Sequence, residues 1–595
     1  MRVPLALLAV ATLLLPGCIT APQAPLEETA APAGPVPDLA SLLPKLSPRL
    51  GNLSVLHEVV DVETPHGLVN VDLYLPEVPP GHKVPVILVA SPYNNPNAPL
   101  NALGGGGKSG EDNWINLPLY NWIRKELLPR GYGLAQMDIL GTRNSGGCMG
   151  LMNPAERQAT AAVVDWLGTQ EWSSGKVGMI GKSYLGLSQM GAAVEKPEHL
   201  VTIVPISGPT HDYAYHYYNG VPYLGNHLTN SLYYGVFSLP PPDGDLLTYA
   251  PRYPERLPCM PEGLAWSVAS LGDYDQHWQE RDYRPLVPQM SEEVSVFFIH
   301  GHQDWNVKPD HVLDVYNAFP GPKMGLWGQW GHDYPNINNY DEERWGERED
   351  WYLTLHRWFD HWLLGIDTGL LQEMAACPVQ TQGYDGAWRC TQAFPPLPEE
   401  GDPVTTLTLH PTSAGGLAAA PATGTAQYTD DPALPATLVV REVPFRSEAF
   451  ANATRIVGAP EIRLRLTTTS PFNTFAVAAL AIERENGDRD EFTWGYQSLR
   501  HRNTLTKGEP VVPGTAYDLT FKLYPVDHVV YPGERLVLVL RGESEDTVSI
   551  LPNPTPGVQT VDLSATALTL PLLPTDRAFA PLTADDLPDT YHLEG

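Results

Sequence analysis

Basic residues are scarce in this chain, which has 37 Lys and Arg against 68 Asp and Glu and a formal net charge of −31 over 595 residues. A surface of that sign repels phosphate backbones, so the composition argues against nucleic-acid binding. Cysteine is also rare, with five residues. No His or Cys pair has the spacing and clustered partners of a zinc site, so we expect neither a metal nor another cofactor.

Long apolar runs are missing beyond the N-terminus. Residues 3–15 are apolar but too few to span a bilayer, and Leu-Pro-Gly-Cys follows at 15–18. This pattern resembles a bacterial lipoprotein signal. We therefore expect a signal peptide at 1–18, a lipid on Cys18, and an Ala- and Pro-rich linker at 19–50. The protein would then be extracytoplasmic, either secreted or attached to a bacterial membrane through the lipid alone.

The four other cysteines, Cys148, Cys259, Cys377 and Cys390, are enough for two disulfides in an oxidising compartment. Cys377 and Cys390 flank two short extended runs that predict a hairpin, which a disulfide between them would close. Buried free thiols are the alternative for this pair. The sequence leaves open both the pairing and the oligomeric state, monomer or homo-oligomer.

A chain of this length predicts two or three domains. Short apolar runs alternate with helical patterns, and this predicts a parallel sheet in a three-layer α/β domain at 51–375. The predicted core strands are 84–90, 133–137, 177–180, 201–206, 294–300 and 324–327. A Tyr- and Pro-rich stretch at 210–290 interrupts the alternation and predicts a helical cap over the strand ends.

The composition changes after about residue 375. Helical periodicity disappears, and short alternating runs are separated by Gly and Pro turns, as at 461–466, 475–480 and 535–540. Residues 376–595 are therefore predicted to form an all-β domain, an antiparallel sandwich or jelly roll.

The motif Gly-Lys-Ser-Tyr-Leu-Gly at 181–186 follows a predicted strand and opens a helical stretch. This is the context of a nucleophile elbow, in which a strained turn holds a serine hydroxyl above the edge of a sheet. The flanking glycines leave room for that turn. We therefore predict Ser183 as a nucleophile.

An acyl-transfer serine needs a base and an orienting carboxylate, which in this architecture follow in the order serine, acid, histidine. Asp304 follows the strand at 294–300, and His332 follows the strand at 324–327. Asp310 is an alternative acid, but it lies farther from the strand end. His300 and His302 are alternative bases, but both precede the acid.

The oxyanion of such a reaction needs two hydrogen-bond donors. The backbone N–H of Tyr184, the residue after the predicted nucleophile, is one. The loop after the first core strand normally supplies the second, and here that loop lacks the glycine cluster used when backbone amides donate. The Tyr93 hydroxyl in this loop is the candidate.

Five ordered motifs together resemble the Xaa-Pro dipeptidyl-peptidases, which are related to the cocaine-esterase-like and α-amino-acid ester hydrolases. They are Gly-Lys-Ser-Tyr-Leu-Gly (181–186), Pro-Tyr-Asn (92–94), Asp-Ile-Leu-Gly-Thr-Arg (138–143), Asp-Trp-Asn-Val (304–307) and His-Arg-Trp-Phe-Asp (356–360). The resemblance covers about residues 55–550. It implies an α/β-hydrolase fold with a C-terminal jelly roll, the triad Ser183, Asp304 and His332, and an oxyanion hole of Tyr93 and Tyr184.

The resulting hypothesis is a serine peptidase that releases N-terminal Xaa-Pro dipeptides through an acyl-enzyme, with peptides of penultimate proline as partners. Asp212 is the candidate partner of the substrate α-ammonium. Tyr213 and Tyr217 are candidates to line the proline pocket, although a tyrosine cluster is also ordinary packing. One alternative is an esterase or acylase with the same triad that acts on small esters or α-amino-acid esters and amides. Another is a glycan-binding surface lipoprotein, which would not need an intact triad.

Overall fold

The computed structural model describes residues 46–94, 117–226, 237–238, 249–259, 261, 272–336, 348–431, 433, 437–543, 550, 555–574 and 577–587. The predicted signal peptide, Cys18, residues 19–45 of the predicted linker and parts of the predicted cap lie outside them. No helix within the described ranges has the length and apolarity needed to cross a bilayer.

The N-terminal domain is built on one large mixed sheet. The first twelve strands are β1 (Val55–Thr64), β2 (Gly67–Pro76), β3 (Val84–Ser91), β4 (Gly133–Asp138), β5 (Ser173–Lys182), β6 (Leu200–Ile206), β7 (Tyr217–Tyr218), β8 (Val221–Pro222), β9 (Ser295–Gly301), β10 (Lys323–Gly328), β11 (Val379–Gln382) and β12 (Trp388–Thr391). All but β7 and β8 form a ten-stranded sheet in the order β1-β2-β4-β3-β5-β6-β9-β10-β11-β12. Neighbours from β4 to β11 are parallel, as in βαβ units.

All six core strands predicted from the sequence are present in this sheet. Strands β3, β4, β6, β9 and β10 are buried over nearly their whole length, because helices cover both faces of a parallel sheet. Antiparallel pairing of β1 with β2 and of β11 with β12 completes the two edges.

Eight α-helices lie in the described residues: α1 (Leu117–Trp122), α2 (Pro154–Gly168), α3 (Tyr184–Val194), α4 (Asp212–His216), α5 (Gln276–Gln279), α6 (Leu313–Ala318), α7 (Trp351–Phe359) and α8 (Leu370–Ala376). The side chain of Asn153 accepts a hydrogen bond from the Glu156 amide and caps α2, as Asn before Pro predicts. Helix α7 continues as a π-helical turn to Leu364 and ends at Gly365, which has a φ of 73°.

The C-terminal domain consists of antiparallel strands: β13 (Thr405–Pro411), β14 (Leu417–Ala418), β15 (Thr425–Asp430), β16 (Glu442–Arg446), β17 (Thr454–Gly458), β18 (Glu461–Thr468), β19 (Phe475–Glu483), β20 (Arg489–Ser498), β21 (Ala516–Lys522), β22 (Val526–Val530), β23 (Arg535–Arg541) and β24 (Gly557–Leu572). Four of them, in the order β16-β23-β19-β20, form one sheet, and the others form an eight-stranded sheet around β24. The all-β prediction is confirmed, whereas the jelly-roll topology stays a prediction.

Strand β19 of the four-stranded sheet is buried on both faces. Alternate residues of β19, such as Ala478 and Leu480, pack into the core shared with the eight-stranded sheet. The residues between them, such as Val477 and Ala479, pack against Tyr223 of the N-terminal domain. The alternation of β19 therefore fills one core inside the C-terminal domain and a second core between the two domains.

The chain already contacts the folded body at residues 46–50, which the sequence analysis assigned to the linker. The backbone N–H and the hydroxyl of Ser47 both donate to Asp360, at 2.6 and 2.8 Å. The Leu50 amide donates to the Pro129 carbonyl at 2.8 Å. These bonds place the start of the folded part at least four residues before the predicted boundary.

Two disulfides cross-link the N-terminal domain. One joins Cys377 to Cys390 across the predicted hairpin, which is the pair β11–β12. The other joins Cys148, in the loop before α2, to Cys259 of the cap. The alternative of buried free thiols at 377 and 390 is therefore wrong.

Candidate active site

Ser183 lies at the sharp turn between β5 and α3, with φ 63° and ψ −125°. A serine in this left-handed region is strained, as the elbow motif predicts. The turn also needs glycine at 186, because a Cβ there would lie 2.9 Å from the Gly208 Cα on the neighbouring loop. The backbone of the turn is fixed by hydrogen bonds from Ser183 N to Ile206 O and from Gly186 N to Ser183 O, at 2.9 and 2.8 Å.

Asp304 and His332, predicted from chain order, are directly hydrogen-bonded. The Nδ1 atom of His332 lies 2.8 Å from Oδ2 of Asp304. The other carboxylate oxygen, Oδ1, accepts the amides of Asn306 and Val307 at 3.0 and 2.9 Å. Because an ionised carboxylate only accepts hydrogen bonds, Nδ1 of His332 carries the proton and Nε2 is an acceptor.

Asp304 is fully buried, while the His332 side chain keeps 22% of its exposure. Burial pushes the pKa of Asp304 upward, but the nearby His332 and the hydrogen bond to it outweigh burial and leave the pKa below its ordinary value. The carboxylate is therefore ionised at neutral pH. It can hold the imidazole in one orientation and stabilise an imidazolium.

Lys182 connects the serine turn to the histidine loop, a role that the sequence analysis did not assign. Its Nζ atom donates to the His332 carbonyl at 3.3 Å and to Oδ1 of Asp333 at 3.1 Å. The same atom lies 4.8 Å from the centre of the Tyr334 ring. The position of Lys182 inside the elbow motif was the available signal, but its partners lie about 150 residues away.

The competing bases have other hydrogen-bond partners, and the competing acid lies in a separate turn. The 3₁₀ turn Pro309–Val312 holds Asp310, and burial raises the pKa of Asp310 to about 7. His300 Nε2 contacts the Val307 carbonyl at 2.8 Å, and His302 Nε2 contacts Thr381 Oγ1 at 3.1 Å. Among these candidates, Asp304 and His332 form the hydrogen-bonded pair.

The two residues predicted to supply the oxyanion donors are in contact through their rings. Tyr184 begins α3, and the rings of Tyr93 and Tyr184 meet edge to face with their centres 6.5 Å apart. The loop of Tyr93 is held by the next residue, because the Asn94 amide donates to the Asp138 carboxylate at 2.9 Å. Asp138 is fully buried, and burial raises its pKa to about 6.

A cavity of about 30 Å³ lies beside Ser183. It is lined by Leu151, Met152, Ser183, Tyr184, Leu187, Pro209, Asp212 and Tyr215. Asp212, the predicted partner of the substrate α-ammonium, lines the same cavity as Ser183. Burial would raise the pKa of Asp212, but His216, whose Nε2 lies 3.4 Å from Oδ1, outweighs burial and leaves the pKa below its ordinary value.

The structure does not place Tyr213 and Tyr217 on this cavity. Their rings stack with centres 5.1 Å apart and pack against Trp278, forming a small aromatic core. The Tyr213 hydroxyl donates to the Gly272 carbonyl at 2.7 Å. Tyr215, between them in the chain, lines the cavity instead, because adjacent residues of a helix point in different directions.

The fold and these side chains define an α/β hydrolase, with a serine, an aspartate and a histidine after three parallel strands, β5, β9 and β10, of one sheet. The chain belongs to the Xaa-Pro dipeptidyl-peptidase family of serine peptidases. Residues 67–334 match the family model described as X-Pro dipeptidyl-peptidase (S15 family), and residues 376–580 match its C-terminal non-catalytic domain. No group of three or more His, Cys, Asp or Glu suited to a metal is found in the described part of the chain.

Individual proteins resemble the chain over most of its length. A Streptomyces avermitilis protein with the provisional name Xaa-Pro dipeptidyl-peptidase is 28% identical, over 85% of this chain and 80% of its own. The crystal structure of an aminopeptidase from a Thaumarchaeota archaeon has a TM-score of 0.68 at 17% identity, covering 89% and 98% of the two chains. An α-amino acid ester hydrolase has a TM-score of 0.67 at 17% identity, covering 90% and 99%. At these identities the two structures show the shared fold.

Proposed function

We propose that the protein hydrolyses peptides behind a penultimate proline and releases N-terminal Xaa-Pro dipeptides. The observation that carries this proposal is the location of the ionised Asp212 in the small cavity beside Ser183, in a chain of this family. The Asp304–His332 pair supplies the base for the reaction. Asp212 supplies a negative charge that pairs with the α-ammonium group of a free N-terminus.

In the proposed reaction, Nε2 of His332 accepts the proton of the Ser183 hydroxyl as the oxygen attacks the carbonyl of the proline. The imidazolium that forms donates at Nδ1 to Asp304, 2.8 Å away. His332 then gives its proton to the leaving amine, and the shortened peptide departs. Water, activated by the same histidine, hydrolyses the prolyl ester and frees Ser183.

Negative charge on the carbonyl oxygen is stabilised by two donors in this proposal, the Tyr184 amide and the Tyr93 hydroxyl. The amide is well placed by its position at the first residue of α3, directly after Ser183. Tyr93 is 3% exposed, so its hydroxyl acts in a dry environment in which hydrogen bonds to charge are strong.

In this proposal, the proline of the substrate lies against the wall of the cavity, and the residue before it carries the free amine. The cavity walls include the apolar side chains of Leu151, Met152 and Leu187, which suit the ring of a proline. Asp212 is the charged group among its described lining residues. A carboxylate at that position pairs with an α-ammonium two residues from the scissile bond, and this limits the released fragment to a dipeptide.

The test is a comparison of Ala-Pro-anilide, its N-acetylated form and phenyl acetate. We expect rapid cleavage of the free dipeptide anilide and at least a hundredfold lower kcat/KM for the blocked one, because acetylation removes the ammonium. Asp212→Asn should raise the KM for the free substrate and leave phenyl acetate hydrolysis nearly unchanged. Ser183→Ala serves as the inactive control for every substrate.

Two results would reject the dipeptidyl-peptidase proposal. Equal turnover of the free and acetylated anilides would show that no free N-terminus is needed. Turnover of phenyl acetate without turnover of either anilide would assign the site to an esterase or acylase with the same triad.

We also propose that the protein is located outside the cytoplasm and carries a lipid on Cys18. Its peptide substrates would then come from the same compartment. The two disulfides support this location, because disulfides persist in oxidising compartments. The test is fractionation of cells that produce the full chain. We expect the wild type in the membrane fraction and Cys18→Ser outside it, and an unchanged distribution would reject the anchor.

A further inference from the structure

Two consecutive residues of the cavity wall have a strained backbone. Leu151 and Met152, which both line the cavity beside Ser183, have φ values of 46° and 71°. Non-glycine residues rarely occupy this left-handed region, and two in succession persist only where surrounding contacts hold them. The wall that faces the substrate is therefore held in place by its neighbours.

Three hydrogen bonds hold the two ends of this wall, two at Gly150 and one at Met152. The Gly150 amide donates to Oε2 of Glu156 at 3.2 Å, and the Gly150 carbonyl accepts from Nε of Arg281 at 3.2 Å. The Met152 carbonyl accepts from the Tyr283 hydroxyl, also at 3.2 Å. Glu156 is thus one of the groups that set the path of the chain immediately before Leu151.

The Glu156 carboxylate also binds the residue that follows the predicted nucleophile. The Tyr184 hydroxyl lies 2.8 Å from Oε1 and 2.9 Å from Oε2 of Glu156, which is 2% exposed. In a capping box, a glutamate at this third helical position would return to the amide of the N-cap residue. Here the Asn153 amide contacts the Gly150 carbonyl instead, and the carboxylate joins the wall to Tyr184.

We propose that Glu156 is a positioning residue that fixes Leu151 and Met152 relative to Ser183, and that it thereby sets which acyl group the cavity accepts. This inference rests on the proposed function for the identity of that group, a proline. The role goes beyond the triad and the oxyanion donors, since Glu156 acts through the Gly150 amide and the Tyr184 hydroxyl.

The serine turn itself does not depend on this carboxylate. Ser183 N donates to the Ile206 carbonyl, and the Gly186 and Leu187 amides donate to the Ser183 carbonyl, so the turn and the start of α3 are held by backbone bonds. Loss of the Glu156–Tyr184 contact should therefore move the wall and leave the nucleophile reactive. This separation makes the inference testable.

The experiment compares Glu156→Gln and Tyr184→Phe with the wild type. A glutamine replaces one of the two acceptor oxygens with an NH2 group that can only donate, which weakens the contacts to Tyr184 and Gly150, while phenylalanine removes only the hydroxyl. Gln158→Ala, two residues along the same helix, is the matched control. Its side chain bonds only the exposed His66 in the described structure.

Two quantities are measured for each variant. The first is the rate at which a small fluorophosphonate labels Ser183, and we expect this rate in Glu156→Gln to stay within twofold of the wild type. The second is the ratio of kcat/KM for Ala-Pro-anilide to that for Ala-Ala-anilide. We expect this ratio to fall at least tenfold in both variants and to be unchanged in Gln158→Ala.

An unchanged ratio in both variants would overturn the inference. So would a fall in activity that the labelling rate follows in parallel, because that pattern indicates a general loss of the folded site. If the wild type cleaves neither anilide, the proposed function fails but the inference is still decided. The readout is then the preference among phenyl acetate, butyrate and hexanoate: a shifted preference supports positioning by Glu156, and an unchanged one rejects it.

Discussion

The indole of Trp305, the residue after the catalytic-acid candidate Asp304, meets the indole of Trp494 in the C-terminal domain edge to face, with ring centres 5.0 Å apart. Trp305 also lies 5.8 Å from the ring of Tyr524 in the same domain. The C-terminal domain therefore packs directly against the loop that carries Asp304. A domain without catalytic side chains can in this way affect the geometry of the site.

Trp494→Ala should lower kcat by about tenfold with little change in KM, because the loop of Asp304 loses its support and small misplacements of catalytic groups are costly. The measurement is steady-state kinetics on the best substrate. Phe472→Ala, which removes an exposed aromatic ring from the same domain, is the control and should behave as the wild type. Equal kinetics for both variants would mean that the contact has no effect on the site.

Asp304→Asn should reduce kcat by about ten-thousandfold, since a carboxamide no longer fixes the proton on Nδ1 of His332 or stabilises the imidazolium. Asp310→Asn is the matched control, because it makes the same change at the competing acid six residues away. We expect its kcat to stay within a few-fold of the wild type. The opposite pattern of the two variants would assign the acid to Asp310.

Asp527→Asn should destabilise the protein by about 3 to 5 kcal/mol, because it removes the negative charge that balances a buried arginine. The Asp527 carboxylate accepts two hydrogen bonds from Arg455, at 2.8 and 2.6 Å, and a third from Thr381 of the N-terminal domain at 2.9 Å. The free energy of unfolding in urea measures the loss. Asp518→Asn removes an exposed partner of Arg465 and should change it little.

The Asp527 contribution should also depend on pH. Burial raises the pKa of Asp527, but Arg455 outweighs burial and leaves the pKa below its ordinary value. A carboxyl whose pKa is lower in the folded state contributes stability above its unfolded pKa and loses it as the pH falls through the folded value. The difference between the wild type and Asp527→Asn should therefore shrink on acidification below about pH 4.

Glu156 should produce the opposite pH dependence. Burial raises its pKa from 4.5 to about 7, against the opposing hydrogen bond from Tyr184. The stability that Glu156 contributes is therefore fully present below the pKa of its carboxyl in the unfolded state. It is lost as the pH rises through the pKa of the carboxyl in the folded state. Relative to Glu156→Gln, the wild type should lose about 3 kcal/mol of unfolding free energy between pH 4.5 and 7.5. A difference that does not vary with pH would mean that Glu156 titrates normally.

The two disulfides should respond differently to reductant. Cys148 is exposed, whereas Cys377 and Cys390 are buried, so mild dithiothreitol should open the Cys148–Cys259 bridge first. Mass spectrometry of alkylated peptides identifies the freed thiols. Opening a loop of this length should cost about 5 kcal/mol in the chain-entropy model. Alkylation of Cys377 before Cys148 would contradict the expected order.

Local patterns in the sequence were sufficient for much of the fold. The runs that became β3, β4, β5, β6, β9 and β10 are apolar because both faces of a parallel sheet are covered, and burial of that kind is visible in a single sequence. The cap of α2 at Asn153 and the end of the helical segment at Gly365 follow from residue chemistry alone. Chain order then predicted the pairing of Asp304 with His332.

The cavity was predicted less well. Asp212 lines the cavity with Ser183, and its role in binding the α-ammonium stays a prediction, whereas Tyr215 takes the position predicted for Tyr213 and Tyr217. A helix of five residues has too short a pattern to reveal which side faces the substrate. That side is decided by Trp278, which lies more than 60 residues later in the chain and attracts the other two rings.

Strands, turns, caps and the order of serine, acid and histidine are therefore readable in this chain without its structure, because each depends on neighbouring residues or on one simple rule of connection. The roles of Lys182, Glu156 and Trp305 emerge only from the folded chain. Their partners are distant in sequence, and long-range packing alone brings them together. Ser183 can be recognised from six residues, but the walls and supports around it come from several separate parts of the protein.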